Sequence, residues 1–133
     1  MDFAGINFLA IAVAVVASMI IGAAWYGGLS KPWIKAANIN EDDLEQKPSL
    51  YIIAAICQII IAFFLAGIIG HLAIDSLWTG AVTAFFCWLG FVVPTMTVNH
   101  RFQGARWSLT IIDSGFWLLV FVAQGAIIGW FVA

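Results

Sequence analysis

The chain has 133 residues, 64% of them hydrophobic and 9% charged. Soluble domains are nearer 45–50% apolar and about 25% charged, so this composition excludes an ordinary water-soluble globule and points to a bilayer. The net charge of −2 gives no sign of a nucleic-acid partner, and the placement of the charges says more than their sum.

Residues 3–30, 48–74, 76–100 and 114–133 contain no Asp, Glu, Lys or Arg. A spanning helix needs about 20 mostly apolar residues. The sequence therefore predicts an all-α, four-helix transmembrane bundle filling a single domain, with spans at about 5–26, 50–72, 77–99 and 107–131. The first run carries Asp2 and no Lys or Arg ahead of it and is longer than a signal-peptide core, so it is expected to stay as the first span. Lys31, Lys35 and Lys47 fall between spans one and two, and Arg101 and Arg106 between spans three and four. By the positive-inside rule these two loops are cytoplasmic and both termini lie outside, in the cell's inner (cytoplasmic) membrane.

In span one, Ala10, Ala14, Ser18 and Gly22 form a row of small residues on one face, a pattern that lets helices approach closely. The loop after it is the one sizeable polar segment. Gly27-Gly28 ends the first helix and Pro32 suits the start of a second. Trp33, Ile34 and Ala37 make a short apolar stripe beside Lys31 and Lys35, which predicts a brief helix in the headgroup region. Asn40 is placed to cap a further turn that begins with Glu41, Asp42 and Asp43, with Glu45 close behind.

Span two has Gln58 as its one strongly polar side chain, and the turn from His71 to Ser76 is so short that spans two and three must be antiparallel neighbours. Span three carries Thr79, Thr83, Gly90, Pro94 and Thr97 along one stripe. Pro94 lacks an N–H and frees the Gly90 carbonyl, which predicts a kink in its inner third. Span four places Arg106, Thr110, Asp113, Trp117, Val120 and Gln124 within a narrow arc, while Gly125 and Gly129 form a GxxxG pair on nearly the opposite face, suited to a second subunit and hence a homo-oligomer.

Trp25, Trp33 and Trp107 fall at the inner boundary and Trp78 and Trp130 at the outer one, as an aromatic belt requires. Trp88 and Trp117 fall near mid-membrane, where each indole N–H needs an acceptor. Cys57 and Cys87 differ in depth by ~8 Å and predict no disulfide. His71 is predicted outside and His100 inside, and no Cys-His cluster has ligand spacing, so neither a metal nor a cofactor is predicted.

Counting 1.5 Å per residue from the inner boundary puts Asp113 at ~9 Å, Gln58 at ~12 Å, Pro94 at ~8 Å and Ser18 at ~15 Å, with Thr97 and Tyr26 shallower. The sequence thus predicts a polar pocket on the cytoplasmic side, built from Asp113, Gln58, Thr97, Trp117, Tyr26 and Ser18, with Arg101 or Arg106 reaching in. Asp113 is the one acid set inside an apolar run, where charge is costly. Three readings of it compete: a structural ion pair with Arg101 or Arg106, a proton or cation site, and a contact for a polar ligand or partner helix.

Five segments taken together carry a resemblance. They are Gly22-Ala23-Ala24-Trp25-Tyr26-Gly27, then Lys31 with Trp33-Ile34-Lys35-Ala36, then Asn40-Glu41-Asp42-Asp43-Leu44, then Trp88-Leu89-Gly90-Phe91-Val92-Val93-Pro94-Thr95, then Ile112-Asp113-Ser114-Gly115-Phe116-Trp117 ending in Gly125-Ala126-Ile127-Ile128-Gly129. In this order the chain resembles the bacterial membrane family catalogued as domain of unknown function 1761, with Phe116 where that family's pattern has Tyr. The resemblance implies a small four-span membrane protein and brings no activity. From the residues themselves, the leading expectation is proton- or cation-linked transport or permeation of a small solute centred on Asp113. The alternative is a non-catalytic subunit or assembly factor of a larger membrane complex that docks through the first loop. An enzyme ranks last, because no second catalytic group converges on Asp113.

Overall fold

Each apolar run becomes a helix whose ends are set by local chemistry. The computed structural model describes residues 3–44 and 46–132; Met1, Asp2, Glu45 and Ala133 lie outside the described residues. Helix α1 spans Phe8–Gly28, and its first turn is capped by the Asn7 side chain, which accepts from the Ala10 N–H at 3.1 Å. Helix α2 spans Ser30–Ala37 and is closed by Asn38 in the left-handed region, with the Ile39 N–H donating to the Ile34 carbonyl. A single 3₁₀ turn, Glu41–Asp43, follows; the Asn40 carbonyl, not its side chain, accepts there from the Asp43 N–H.

Helix α3, Pro48–His71, starts with proline at its first turn, where a missing N–H costs nothing. Helix α4, Leu77–Phe102, is capped by the Ser76 side chain at the Thr79 N–H. Gly104, at φ +71°, turns the chain into helix α5, Trp107–Val132. The described residues contain no strand. Four of the five helices are long and apolar enough to cross a membrane, and together they form the antiparallel bundle.

Inside α4, residues Trp88–Val92 form a π-helical turn, with the Val93 N–H donating to the Trp88 carbonyl. Pro94 follows directly and supplies no donor to the Gly90 carbonyl, so the wide turn is where the predicted break is absorbed. The Thr95 hydroxyl donates to the Phe91 and Val92 carbonyls and the Thr97 hydroxyl to that of Val93.

The hydrophobic core gathers in the half of the bundle nearer the termini: Ile11, Ala14 and Val15 of α1, Ala62, Leu65 and Ile69 of α3, Ala84 of α4 and Ile128 of α5. Helix α3 buries Gln58, Ala62, Leu65, Gly67 and Ile69 but none of its first ten residues, where Leu50 to Ile53 are all exposed. The small-residue row of α1 packs inward as predicted, with Gly22 against the Phe116 ring.

The GxxxG pair departs from expectation. Gly125 and Gly129 meet Gly80, Ala84 and the Ser76 carbonyl of α4, not a second subunit; a Cβ at Gly125 would lie 2.4 Å from the Ala84 Cβ and 2.5 Å from the Gly80 oxygen. With that face occupied inside the chain, the glycine pair no longer argues for a homo-oligomer. The short helix predicted in the first loop is present as α2: its stripe residues Trp33, Ile34 and Ala37 are half-buried, Ala36 is buried, the Trp33 ring meets Tyr26 edge-on at 5.8 Å, and the acidic turn that follows is exposed.

The tight crossing generates a direct test. Gly125→Ala should lower stability by about 1–3 kcal/mol through overpacking against α4, whereas Gly27→Ala, with nothing within 4 Å of the added carbon, should stay within about 0.5 kcal/mol of the parent. Thermal unfolding in micelles, followed by circular dichroism, measures both; equal midpoints for the two variants would refute the crossing.

Candidate functional site

The polar side chains that sequence counting placed in one pocket form two clusters. The deeper one lies between α1, α3 and α5. Gln124 donates from Nε2 to Ser18 Oγ at 3.1 Å and to the Gln58 carbonyl at 3.3 Å. Ser18 Oγ is 2.6 Å from Gln58 Oε1 and 3.0 Å from the Val15 carbonyl. All three side chains are buried. Gln124, 17 residues beyond the start of α5, belongs at the level of Ser18 and Gln58, because a 26-residue helix crossing beside a 21-residue one does not keep the same count from its end.

The shallower cluster surrounds Asp113. The Tyr26 hydroxyl donates to Asp113 Oδ1 at 2.8 Å, and the Trp33 indole and His100 ring lie close enough to act on its charge. Tyr26 stands in the last turn of α1, so the carboxylate sits near the end of the bundle, not at its middle. Neither arginine pairs with it among the described residues. Arg101 stacks over Trp107 at 3.7 Å and donates to the Thr110 hydroxyl at 2.9 Å and the Ala105 carbonyl at 3.0 Å, and Arg106 is exposed. His100 Nδ1 shares the Thr110 hydroxyl at 2.8 Å. The ion-pair reading of Asp113 is thereby replaced by a tyrosine-held carboxylate. Thr97, bonded to its own helix, joins neither cluster.

Two tryptophans hold the backbone on either side of Asp113. Trp25 Nε1 donates to the Ile112 carbonyl at 3.0 Å, and Trp88 Nε1 to that of Ser114 at 2.8 Å. Gly115 makes room for the first, since a Cβ there would lie 3.0 Å from the Trp25 ring. The acceptor sought for Trp88 is thus a main-chain carbonyl of α5. Trp25, assigned to the aromatic belt, has the same job. Sequence reasoning missed Trp25, Trp33 and His100 as neighbours of Asp113. The small residue two positions after the acid was the available signal for the first of them.

Between the first half of α3 and the α1–α5 pair lies a cavity of about 920 Å³. Met19, Gly22 and Tyr26 of α1, Phe116 and Trp117 of α5, and Ile53, Cys57 and Gln58 of α3 form its wall, and Ser30 and Gln46 stand at its α2 end. Gln58 marks the deep end, ~15 Å along α3 from its start. No acidic, basic or histidine side chain lines it among the described residues, and Asp113 is outside it. The predicted polar pocket is therefore an apolar one with a polar floor, separated from the carboxylate by Tyr26. No group of three or more His, Cys, Asp or Glu able to hold a metal occurs among the described residues.

A family model described as a protein of unknown function (DUF1761) matches residues 9–129, which takes in both clusters and the cavity. The chain belongs to this family. No curated protein and no solved structure matches it. Within this DUF1761 chain the segments that carried the resemblance are the ones that build the site: Trp25 and Tyr26, Trp33, Trp88, and Asp113 to Trp117.

The deep cluster should be a stability element. Ser18→Ala removes the hydroxyl that both glutamines use and should cost about 1–2 kcal/mol, the upper part of the range for interhelical hydrogen bonds in membranes. Ser30→Ala, at the exposed mouth, should change stability by less than about 0.5 kcal/mol. Unfolding titrations in mixed micelles compare the two, and an unchanged Ser18→Ala would show that the cluster is not holding α3.

Proposed function

We propose that this chain binds a small, uncharged, largely apolar solute in the wedge between α3 and the α1–α5 pair and carries it in a proton-linked cycle, with Asp113 as the proton site. The observation that supports this most is Tyr26, whose ring walls the cavity while its hydroxyl holds the Asp113 carboxylate. A carboxylate accepts that bond strongly and a carboxylic acid weakly. Protonation at Asp113 therefore alters the hold on one cavity wall, and a solute that displaces the Tyr26 ring alters proton affinity by the same coupling free energy.

Among the described residues no charged side chain lines the cavity, which favours a neutral solute over a cation. All five Lys and Arg residues are at the α2 end of the bundle, which supports a cytoplasmic mouth, external termini and residence in the cell's inner (cytoplasmic) membrane. We read the chain as a carrier and not an enzyme, because no nucleophile in the cavity wall has a base beside it.

Reconstituted vesicles loaded with a pH-sensitive dye test this reading. A panel of neutral alcohols, ketones and amides should include members that evoke proton movement with the parent chain. Asp113→Asn and Tyr26→Phe should each slow that movement at least about tenfold, while Asp42→Asn in the exposed acidic turn should leave it unchanged. Movement retained in both site variants would refute Asp113 as the proton site, and a parent chain silent across the panel would refute the carrier reading.

A further inference from the structure

The floor of the cavity specifies what its occupant must offer. Ser18 Oγ and the facing Gln58 side-chain atom are 2.6 Å apart, a separation usual for O–H···O and short for N–H···O. That distance assigns the Gln58 oxygen to Ser18 and turns its Nε2 away. The Gln58 carbonyl and Oε1 are both engaged, whereas among the described residues its Nε2 donates to nothing and is not sealed from the cavity. Trp117, on the same wall, also has an indole N–H with no acceptor among the described residues. The cavity floor thus offers Gln58 Nε2 as a free donor, no charged side chain lines the cavity among the described residues, and of its other polar groups Ser30, Gln46 and Tyr51 belong to the α2 end and the first half of α3. A lipid acyl chain would fill the volume but leave the Gln58 donor unsatisfied at membrane depth, which is costly.

We propose that the wedge recognises an uncharged carbonyl compound: an apolar body with an acceptor oxygen seated on Gln58 Nε2, and with the Trp117 N–H as a second donor. A volume of about 920 Å³ suits a molecule of drug or lipid-soluble cofactor size. This assignment rests on the reading of the wedge as the solute site and names the solute's chemistry.

Cys57 reports occupancy, since it is exposed and lines the cavity, while Cys87 lies outside it. The full chain in nanodiscs is alkylated with N-ethylmaleimide, and the rate at each cysteine is read by mass spectrometry, with Cys87 as internal reference. Duroquinone, a fully methylated quinone with two carbonyls, should slow alkylation of Cys57 with about fivefold greater potency than durene, the matching hydrocarbon without them. Gln58→Leu should erase the difference between the two probes and Trp117→Phe should reduce it, while Tyr26→Phe should retain it. Equal protection by durene, or protection by neither probe, overturns the proposal. The comparison of probes in the parent chain stands even where Gln58→Leu fails to fold. Preference for duroquinone without solute-evoked proton movement would overturn the coupled-carrier reading alone; proton movement without that preference would overturn the carbonyl assignment alone.

Discussion

The structure depends on one constraint: a polar side chain inside a bilayer must find its partner within the protein. Ser18, Gln58 and Gln124 meet most of that constraint through one another, with Gln124 Oε1 left buried and unpartnered among the described residues, and in doing so they fix where α1, α3 and α5 come into register. On the terminal side of this knot α3 is sealed by Ala62, Leu65 and Ile69, and Phe3 stacks on Phe63 at 4.9 Å beside Gly67. On the other side α3 buries nothing, and the space it leaves is the cavity. The knot is therefore both the last contact of the packed half and the floor of the open one. Its position explains why a chain this short has an interior volume at all.

The other long helices are held differently. Helices α4 and α5 touch through glycine, with Gly80 against Gly125 and Gly129, so their backbones approach where no side chain intervenes. Without a hydrophobic force between helices in lipid, such close contact is a main source of association. This rigid pair then offers α5 as a fixed wall. The indoles of Trp25 and Trp88, arriving from opposite sides, hold α5 at the turn that bears Asp113. The carboxylate is thus placed by main-chain bonds on its neighbours, independently of any charge pairing.

Much of the fold was legible because membrane helices announce themselves by uncharged length, and the four spans lie within a few residues of where composition put them. The site was legible only in its parts. Asp113, Gln58, Ser18 and Tyr26 stood out as polar groups in apolar runs, but depth counting assumed that every helix starts at one plane and runs upright. Gln124 and Asp113 changed level together because α5 is long relative to α1, and the single predicted pocket split in two. Gly125 and Gly129 were readable as a contact surface, but spacing does not say whether the partner is the same chain. Trp33 followed the same logic: an apolar stripe beside lysines fits a headgroup or an interior, and here Tyr26 and Asp113 draw it inward.

Tyr26 joins these threads because, among the described residues, it is the one side chain shared by the cavity and the carboxylate. Its ring also contacts Phe116 at 5.1 Å and Trp33 at 5.8 Å, so its position is set by aromatic packing from α5 and α2 as well as by the bond to Asp113. The bond to Asp113 is thus one of three holds on the ring, and Trp33 of the eight-residue α2 supplies another. Around it α4 and α5 meet through glycine and α3 is tied at Gln58. Ser30, at the start of α2, and Gln46 border the wedge, so the short helix stands beside both the cavity and the ring that holds Asp113.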